Sequence, residues 1–300
     1  MEKRRIKRSR AEQAGYVIII IVLSVIAFVM IYPFWHTLMY SLSDTKEVTR
    51  RTLMFYPVKP SIEAYKLILS TKQIYIAYGN TILRTVLGTT LSLLLTATTA
   101  YPLAINRFKG RTFFSMLIYM TMLFSGGMIP TYLLINSLEM INTFWALIIP
   151  GVISAYNMFI MRNYFRSLPA DLEASARIDG ANTLQILFRV YIPISGPVLA
   201  ALAMFYGIDN WNSYLDCIIY TNKSSLQVLQ VYLREVMITN SASNAITGFG
   251  ADVANAAVNS VSDKSLMMTI VSVSVIPILL VYPFLQRYYT SGLTIGAVKE

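Results

Sequence analysis

Residues 168–195, LPADLEASARIDGANTLQILFRVYIPIS, carry five charges in an otherwise apolar part of the chain. Asp171 and Glu173 follow Pro169; proline suits a first helical turn, and carboxylates there favour the positive end of the helix. Leu172 and Ala176 then share one face at i, i+4, with Ala174 and Ile178 beside them. Gly180 falls where a C-terminal cap belongs. Asn182 suits the N-cap of a second helix, with Gln185 at the reciprocal capping-box position. Leu184, Leu187, Phe188 and Tyr191 give that second helix an apolar stripe, and Pro193 marks the start of the next apolar run. The spacing predicts two short helices about a Gly-centred bend. Small side chains at Ala174, Ser175, Ala176, Gly180 and Ala181 would let another backbone come close, which is the chemistry of a docking surface. The same stripe would equally suit an amphipathic helix lying among lipid headgroups.

A second polar set, DNWNSY, sits near the end of a later apolar run. Asp209, Asn210, Trp211, Asn212 and Tyr214 offer hydrogen-bonding groups and aromatic faces, the chemistry that sugars need, and are the candidate substrate path. A helix from Pro193 rises about 24 Å to Asp209 at 1.5 Å per residue. That depth is close to a membrane interface, where Trp and Tyr also serve as plain anchors. Catalytic chemistry has little to build with. One histidine, His36, and one cysteine, Cys217, exclude a multi-histidine metal site, an intrachain disulfide and a thiolate cluster. A G-x-x-x-x-G-K-[ST] phosphate loop does not occur, so the chain does not hydrolyse ATP by that route.

The elements that must position these residues are membrane helices. The chain is 55% hydrophobic and 13% charged, with mean hydropathy +0.55, against roughly 25% charged in a soluble domain. Six stretches without Asp, Glu, Lys or Arg reach 19 residues or more: 13–43, 85–106, 112–138, 140–161, 190–208 and 265–286. A hydrocarbon core of about 30 Å takes about 20 such residues in a helix. The expected fold is therefore all-α, with six transmembrane helices at 15–40, 80–105, 113–136, 144–162, 193–216 and 266–289. The run from Tyr16 to Tyr32 is longer than a signal-peptide core, and no A-x-A site follows, so the first helix is read as retained. A cytoplasmic N-terminus puts 15 of the 25 Lys and Arg inside, among them Lys3, Arg4, Arg5, Lys7, Arg8, Arg10, Arg107, Lys109 and Arg111. Six crossings return the C-terminus to the same side, giving N-in/C-in topology with the two-helix segment 163–192 inside, between helices four and five. The net charge of +10 then reports topology, with some attraction to anionic lipid, and is not a nucleic-acid footprint. The organisation is a basic tail (1–14), a first helix (15–40), an outer loop (41–79), a membrane core (80–290) and a short tail (291–300), with a second long outer loop at 217–264. Gly126, Gly127 and Pro130 interrupt the third run and are read as helix packing or a local kink.

Glu173-Ala174-Ser175, Asp179-Gly180-Ala181 and Ile192-Pro193 together resemble the EAA loop of binding-protein-dependent ABC importer permeases, with Ser175 where a second alanine is usual. FSGGMIPTYLLINSLEMINTFWALIIPG (124–151), MFIMRNYFRSLPADLE (158–173), NWNSYLDCIIYTN (210–222) and GLTIGAVK (292–299) look like the carbohydrate branch of that family. Within it they resemble the maltose-type second subunit and, more closely, oligosaccharide and polysaccharide uptake permeases, over nearly the whole chain. The resemblance implies a multi-pass protein of the bacterial cytoplasmic membrane, forming half of a sugar pathway. It implies a homologous second permease as heterodimer partner, a dimer of cytoplasmic ATPase subunits that carries the ATP and Mg, and an extracytoplasmic sugar-binding protein. This chain itself would bind no cofactor. The segment around Gly180 would be the coupling element seated on an ATPase, with Glu173 paired to a basic group there, Gly180 permitting the bend, and the tail 292–299 reaching between the ATPases or fraying.

Two other classes fit less well. An ion-coupled secondary transporter calls for charges midway across several spans, and the six long stretches lack them. A membrane enzyme calls for clustered His, Asp or Ser groups, and one histidine leaves little to cluster.

Overall fold

The computed structural model describes residues 10–44, 48, 53–238 and 262–297. The basic residues Lys3, Arg4, Arg5, Lys7 and Arg8, residues 239–261 of the second long loop, and Lys299 in the tail lie outside the described residues. Among those described, every regular element is helical, and the one β feature is an antiparallel bridge between Ser43 and Pro60. The chain forms two compact units, Met1–Ser70 with Thr239–Val273, and Thr71–Ile238 with Ser274–Glu300.

In the first unit, α1 (Arg10–Ser41) is an unbroken helix whose membrane-length window has none of its residues buried. A helix so apolar and exposed all round fits hydrocarbon and not water. Phe28, Tyr32, His36 and Tyr40 recur every fourth residue along it, with neighbouring rings 6.1, 6.0 and 6.0 Å apart, so His36 is one ring of an aromatic row. A short helix, α2 (Glu63–Ser70), meets the end of α1 through a 2.7 Å hydrogen bond between the Ser41 and Tyr65 hydroxyls. Ala64 and Ile68, four apart on one face, are its buried residues.

The second unit is built on α3 (Lys72–Ala104). Because α2 and the first turns of α3 are helical, the segment 41–79 is not a continuous loop, and α3 begins at Lys72 instead of near 80. Charged residues at Lys66 and Lys72 had interrupted the apolar pattern without interrupting the helices. Two further long runs are broken. α4 (Arg111–Leu123) and α5 (Met128–Ser137) meet at 114°. Gly127 adopts φ +88° there, and the Ser125 hydroxyl accepts the Gly127 N–H at 3.2 Å. Positive φ is open to glycine at little cost, so the Gly-Gly pair makes a sharp turn where helix packing or a local kink was expected. The next run starts as 3₁₀ turns, Phe144–Leu147 and Ile149–Gly151, and bends by 53° into α6 (Ala155–Ser167).

After the elbow described below, α9 (Gly196–Asn212) packs antiparallel along α3: Thr96 meets Tyr206, Gly88 meets Asn210, and Arg84 reaches Ser213. Small residues allow the approach. Thr81, Arg84, Gly88, Ser92, Thr96 and Ala100 of α3 are all buried, a stripe of the kind that brings membrane helices together. A Cβ on Gly88 would stand 2.7 Å from Asn210 Oδ1. The core beyond this contact is aromatic and aliphatic, with Tyr101, Phe165 and Tyr191 meeting edge-on at 4.9–6.3 Å. Two short helices, α10 (Leu215–Tyr220) and α11 (Leu229–Ile238), follow α9. They occupy part of the 217–264 segment read as loop, because neither is long or apolar enough to register as a span. The last helix, α12 (Asp263–Ala297), contains Pro277 and Pro283. Among the described residues, three helices are long and apolar enough to cross a membrane, or up to six if each bent pair counts as one crossing.

Candidate functional site

The segment 168–195 folds as its residues require. α7 (Asp171–Ile178) follows Pro169, with Asp171 and Glu173 in its first turn. It ends in paired backbone bonds from Gly180 N–H to Arg177 O and from Ala181 N–H to Ala176 O, both 3.0 Å. This Schellman closure needs a left-handed residue, and Gly180 provides it at φ +80°. A Cβ at Gly180 would meet nothing within 4 Å, so backbone conformation and not space selects glycine. α8 (Thr183–Ile186) opens with a complete capping box: Gln185 N–H donates to Asn182 Oδ1 at 2.9 Å and Asn182 N–H to Gln185 Oε1 at 2.8 Å. The helix continues through a π turn at Leu187–Tyr191 to Ile192–Ile194.

Pro193 lies inside that last turn; the sharp bend, 85°, comes just after it, at Ser195. Pro193 therefore precedes the corner by two residues, and α9 opens with Gly196 and Pro197 directly after it.

The elbow has an inner and an outer face. Glu173, Ala176 and Arg177 turn inward and are partly covered, and Ala176 and Ala181 pack on the core with buried Ile186, Leu187 and Tyr191. Ala174, Ser175, Ile178, Asp179 and Gly180 face outward. The apolar stripe expected of the second helix is thus divided: Leu187 and Tyr191 are inside, whereas Leu184 and Phe188 are exposed. Ile178, 86% exposed, is the most exposed large apolar residue of the elbow. Glu173, for which the resemblance implies a basic partner on an ATPase, meets a basic group within its own helix: its Oε1 accepts from Arg177 Nε at 2.9 Å and stands 2.8 Å from Nη2. That hydrogen bond raises the Arg177 pKa above its ordinary value.

The polar set at the far end of α9 is also split. Asn210 donates to Tyr206 O at 2.8 Å and packs on Gly88, and Trp211 is buried with no hydrogen-bond partner for its indole N–H among the described residues. Asp209, Asn212 and Tyr214 are exposed, and the Tyr214 ring carries Arg234 at 5.5 Å. Of the five residues expected along a path, Asn210 therefore lies in the contact between α3 and α9, and Trp211 is covered. Residue type could not distinguish them; the glycine opposite Asn210 does.

Sequence reasoning missed the ion pair beneath this set. Arg84, 4% exposed at its side chain, forms a two-pronged pair with Asp216 and donates to Ser213 O at 3.1 Å. Ser213 Oγ and Cys217 N–H both donate to Asp216 Oδ1 at 3.0 Å, so the carboxylate spans the break between α9 and α10. Tyr206 makes a second tie: its hydroxyl lies 2.7 Å from Thr96 Oγ1 and accepts the N–H of Ser154, the N-cap of α6, at 3.2 Å. Arg84 had been visible as the charge bounding the second apolar run; a charge one residue outside such a run calls for a named partner.

The family profile described as "Binding-protein-dependent transport system inner membrane component" matches residues 74–295. The chain is similar to the polygalacturonan/rhamnogalacturonan transport system permease protein YtcP of Bacillus subtilis (strain 168), 37% identical across 91% of this chain and 94% of that protein. It is also similar to the arabinooligosaccharides transport system permease protein AraQ of Halalkalibacterium halodurans, 29% identical across 91% and 93% of the two chains. Its fold superimposes on a chain from the crystal structure of a bacterial ABC transporter involved in the import of the acidic polysaccharide alginate. The TM-score is 0.87, with 33% identity, covering 95% of this chain and 99% of that one.

Proposed function

This chain belongs to the family of binding-protein-dependent transport system inner membrane components, and on that premise we propose that it is the permease subunit of an ATP-driven ABC importer for an oligosaccharide or polysaccharide fragment. The observation that carries the reading is similarity along nearly the whole chain, in sequence and in fold, to permeases and a transporter described as serving saccharides. The chain crosses the bacterial cytoplasmic membrane six times, three times as unbroken helices and three times as bent pairs, with both ends and the elbow inside. It pairs with a homologous second permease and receives its solute from an extracytoplasmic sugar-binding protein. Two cytoplasmic ATPase subunits bind the ATP and Mg, and this chain binds neither.

The mechanism follows from how the elbow is mounted. Its inner face is continuous with the core that joins α3, α6 and α8, so a push on its outer face moves those helices and not a loop. Closure of an ATPase dimer can shift the permease between outward- and inward-open states only by binding them with different affinity, and a rigid mount delivers that difference to the membrane. Ala174, Ser175, Asp179 and Gly180 form the close-fitting part of the docking surface, with Ala181 behind them on the core side; Asp209, Asn212 and Tyr214 face the solute. The test is Gly180→Arg in the reconstituted complex. Strain at φ +80° and a bulky charge on the docking face should abolish saccharide uptake while the protein still reaches the membrane. Undiminished uptake and ATPase co-purification would refute the assignment of the elbow.

A further inference from the structure

Ser213 stands between Asn212 and Tyr214, two of the residues that face the solute. It caps α9 in extended conformation, at φ −70° and ψ 132°, and α10 begins soon after, at Leu215. The last carbonyls of one helix and the first N–H groups of the next have no partners within those helices, so other groups must set the direction of such a joint. Here side chains do so. Arg84 donates to Ser213 O at 3.1 Å and to Asp216 Oδ1 at 3.2 Å, with its second prong on Oδ2. Asp216 Oδ1 accepts in turn from Ser213 Oγ and from Cys217 N–H, both at 3.0 Å. The guanidinium thus sits at the C-terminal end of α9, where the helix dipole favours a cation. Arg84 belongs to the buried stripe of α3, and its side chain is 4% exposed against 21% for Asp216. The flanking side chains have looser partners: Gln230 Nε2 lies 3.5 Å from Asn212 Oδ1, and Arg234 stands 5.5 Å from the centre of the Tyr214 ring. A rotation of the backbone at Ser213 would swing the Tyr214 ring relative to the Asn212 amide, and the ion pair opposes it.

We propose that Arg84 and Asp216 are positioning residues for the saccharide: the pair locks the backbone at Ser213, so that Asn212 and Tyr214 present an amide and a ring to the sugar at one fixed spacing. This rests on the reading of Asp209, Asn212 and Tyr214 as part of the path. Arg84 is covered and acts through Ser213, not by touching the solute. Without the pair, α9 stays packed on α3 through Tyr206 on Thr96 and Asn210 on Gly88. The joint beyond them turns, and the sugar no longer meets both side chains at once.

The experiment uses the complete transporter in proteoliposomes, supplied with saturating loaded binding protein. Fragments of polygalacturonan and arabinooligosaccharides serve as probes, and the one that the parent imports is used throughout. Import per ATP hydrolysed is the readout, because a change in folded amount does not move it. Arg84→Met with Asp216→Leu is the informative variant: two apolar side chains restore much of the stability that removing one charge destroys, yet nothing then holds Ser213. Its import per ATP should fall about fivefold, the size of one hydrogen bond lost to the sugar. Arg84→Lys keeps the charge without the fork and should fall about twofold to threefold. Tyr214→Ala should fall about as far as the apolar pair, and adding the apolar pair to Tyr214→Ala should lower import per ATP by less than about twofold more, since both act on one contact. A stable apolar pair with the parent's import per ATP overturns the inference, as does full additivity with Tyr214→Ala. Should the apolar pair not be recovered folded, Arg84→Lys with the parent's import per ATP overturns it. Unchanged import per ATP in both Asn212→Ala and Tyr214→Ala overturns instead the reading of the path on which it rests.

Discussion

α1 and α3 are nearly the same length, 32 and 33 residues, and both are long and apolar enough to cross a bilayer. None of the span window of α1 is buried within the chain, whereas a third of that of α3 is. The difference lies in which polar and small residues each contains. From Tyr16 to Met30 α1 shows Val, Ile, Leu, Phe and Met on every side, many of them half exposed or more. α3 repeats Thr81, Arg84, Gly88, Ser92, Thr96 and Ala100 along one line, and that line is where α9 lies. In lipid, apolar side chains gain nothing by leaving one apolar neighbour for another. Close approach and hydrogen bonds decide which helices associate. The less apolar helix is consequently the one at the centre of its own unit.

This contrast can be broken most forcibly at Arg84. Arg84→Ala leaves Asp216 mostly covered and without its guanidinium, which should cost about 3–5 kcal/mol. Unfolding of the purified protein in detergent micelles measures it, and Arg84→Met combined with Asp216→Leu should recover much of the loss. If the single and double variants are equally unstable, the pair does not hold α9 to α3. Next is Gly88→Leu, whose side chain has no room beside Asn210 Oδ1; about 1–3 kcal/mol is expected for overpacking. Gly15→Leu on α1 is its control, since a Cβ there meets nothing within 4 Å, and should stay within about 0.5 kcal/mol of the parent. Equal effects at the two glycines would erase the distinction between the helices. The smallest effect is expected for Tyr206→Phe, which removes the hydroxyl shared by Thr96 and Ser154; membrane hydrogen bonds average about 0.6 kcal/mol. A loss above about 2 kcal/mol would mean that the N-cap of α6 depends on Tyr206.

Legibility from the sequence followed the range of the interaction. The elbow was readable almost residue by residue, because a cap, a capping box and a positive-φ glycine act over three to five residues. Asn182 with Gln185, and Gly180 at the turn, stand as local rules required. Its faces were not readable: Ile178 and Ala176 are both small-to-medium apolar residues on one helix, and only the core behind α7 determines that Ala176 packs while Ile178 protrudes. Broken helices were half visible. Gly126 and Gly127 marked the place of the 114° turn without its size, and nothing short-range announced the 53° bend ahead of α6.

The apolar runs and the polar elbow between two of them came from composition and spacing alone, because water, lipid and backbone geometry act on each stretch wherever it sits. The tertiary structure alone decided that Asn210 and Trp211 turn inward and that Arg84 closes on Asp216 across 132 positions. Each of these depends on a neighbour distant in sequence or on a buried surface, and burial is a property of the packed helices and not of any one of them.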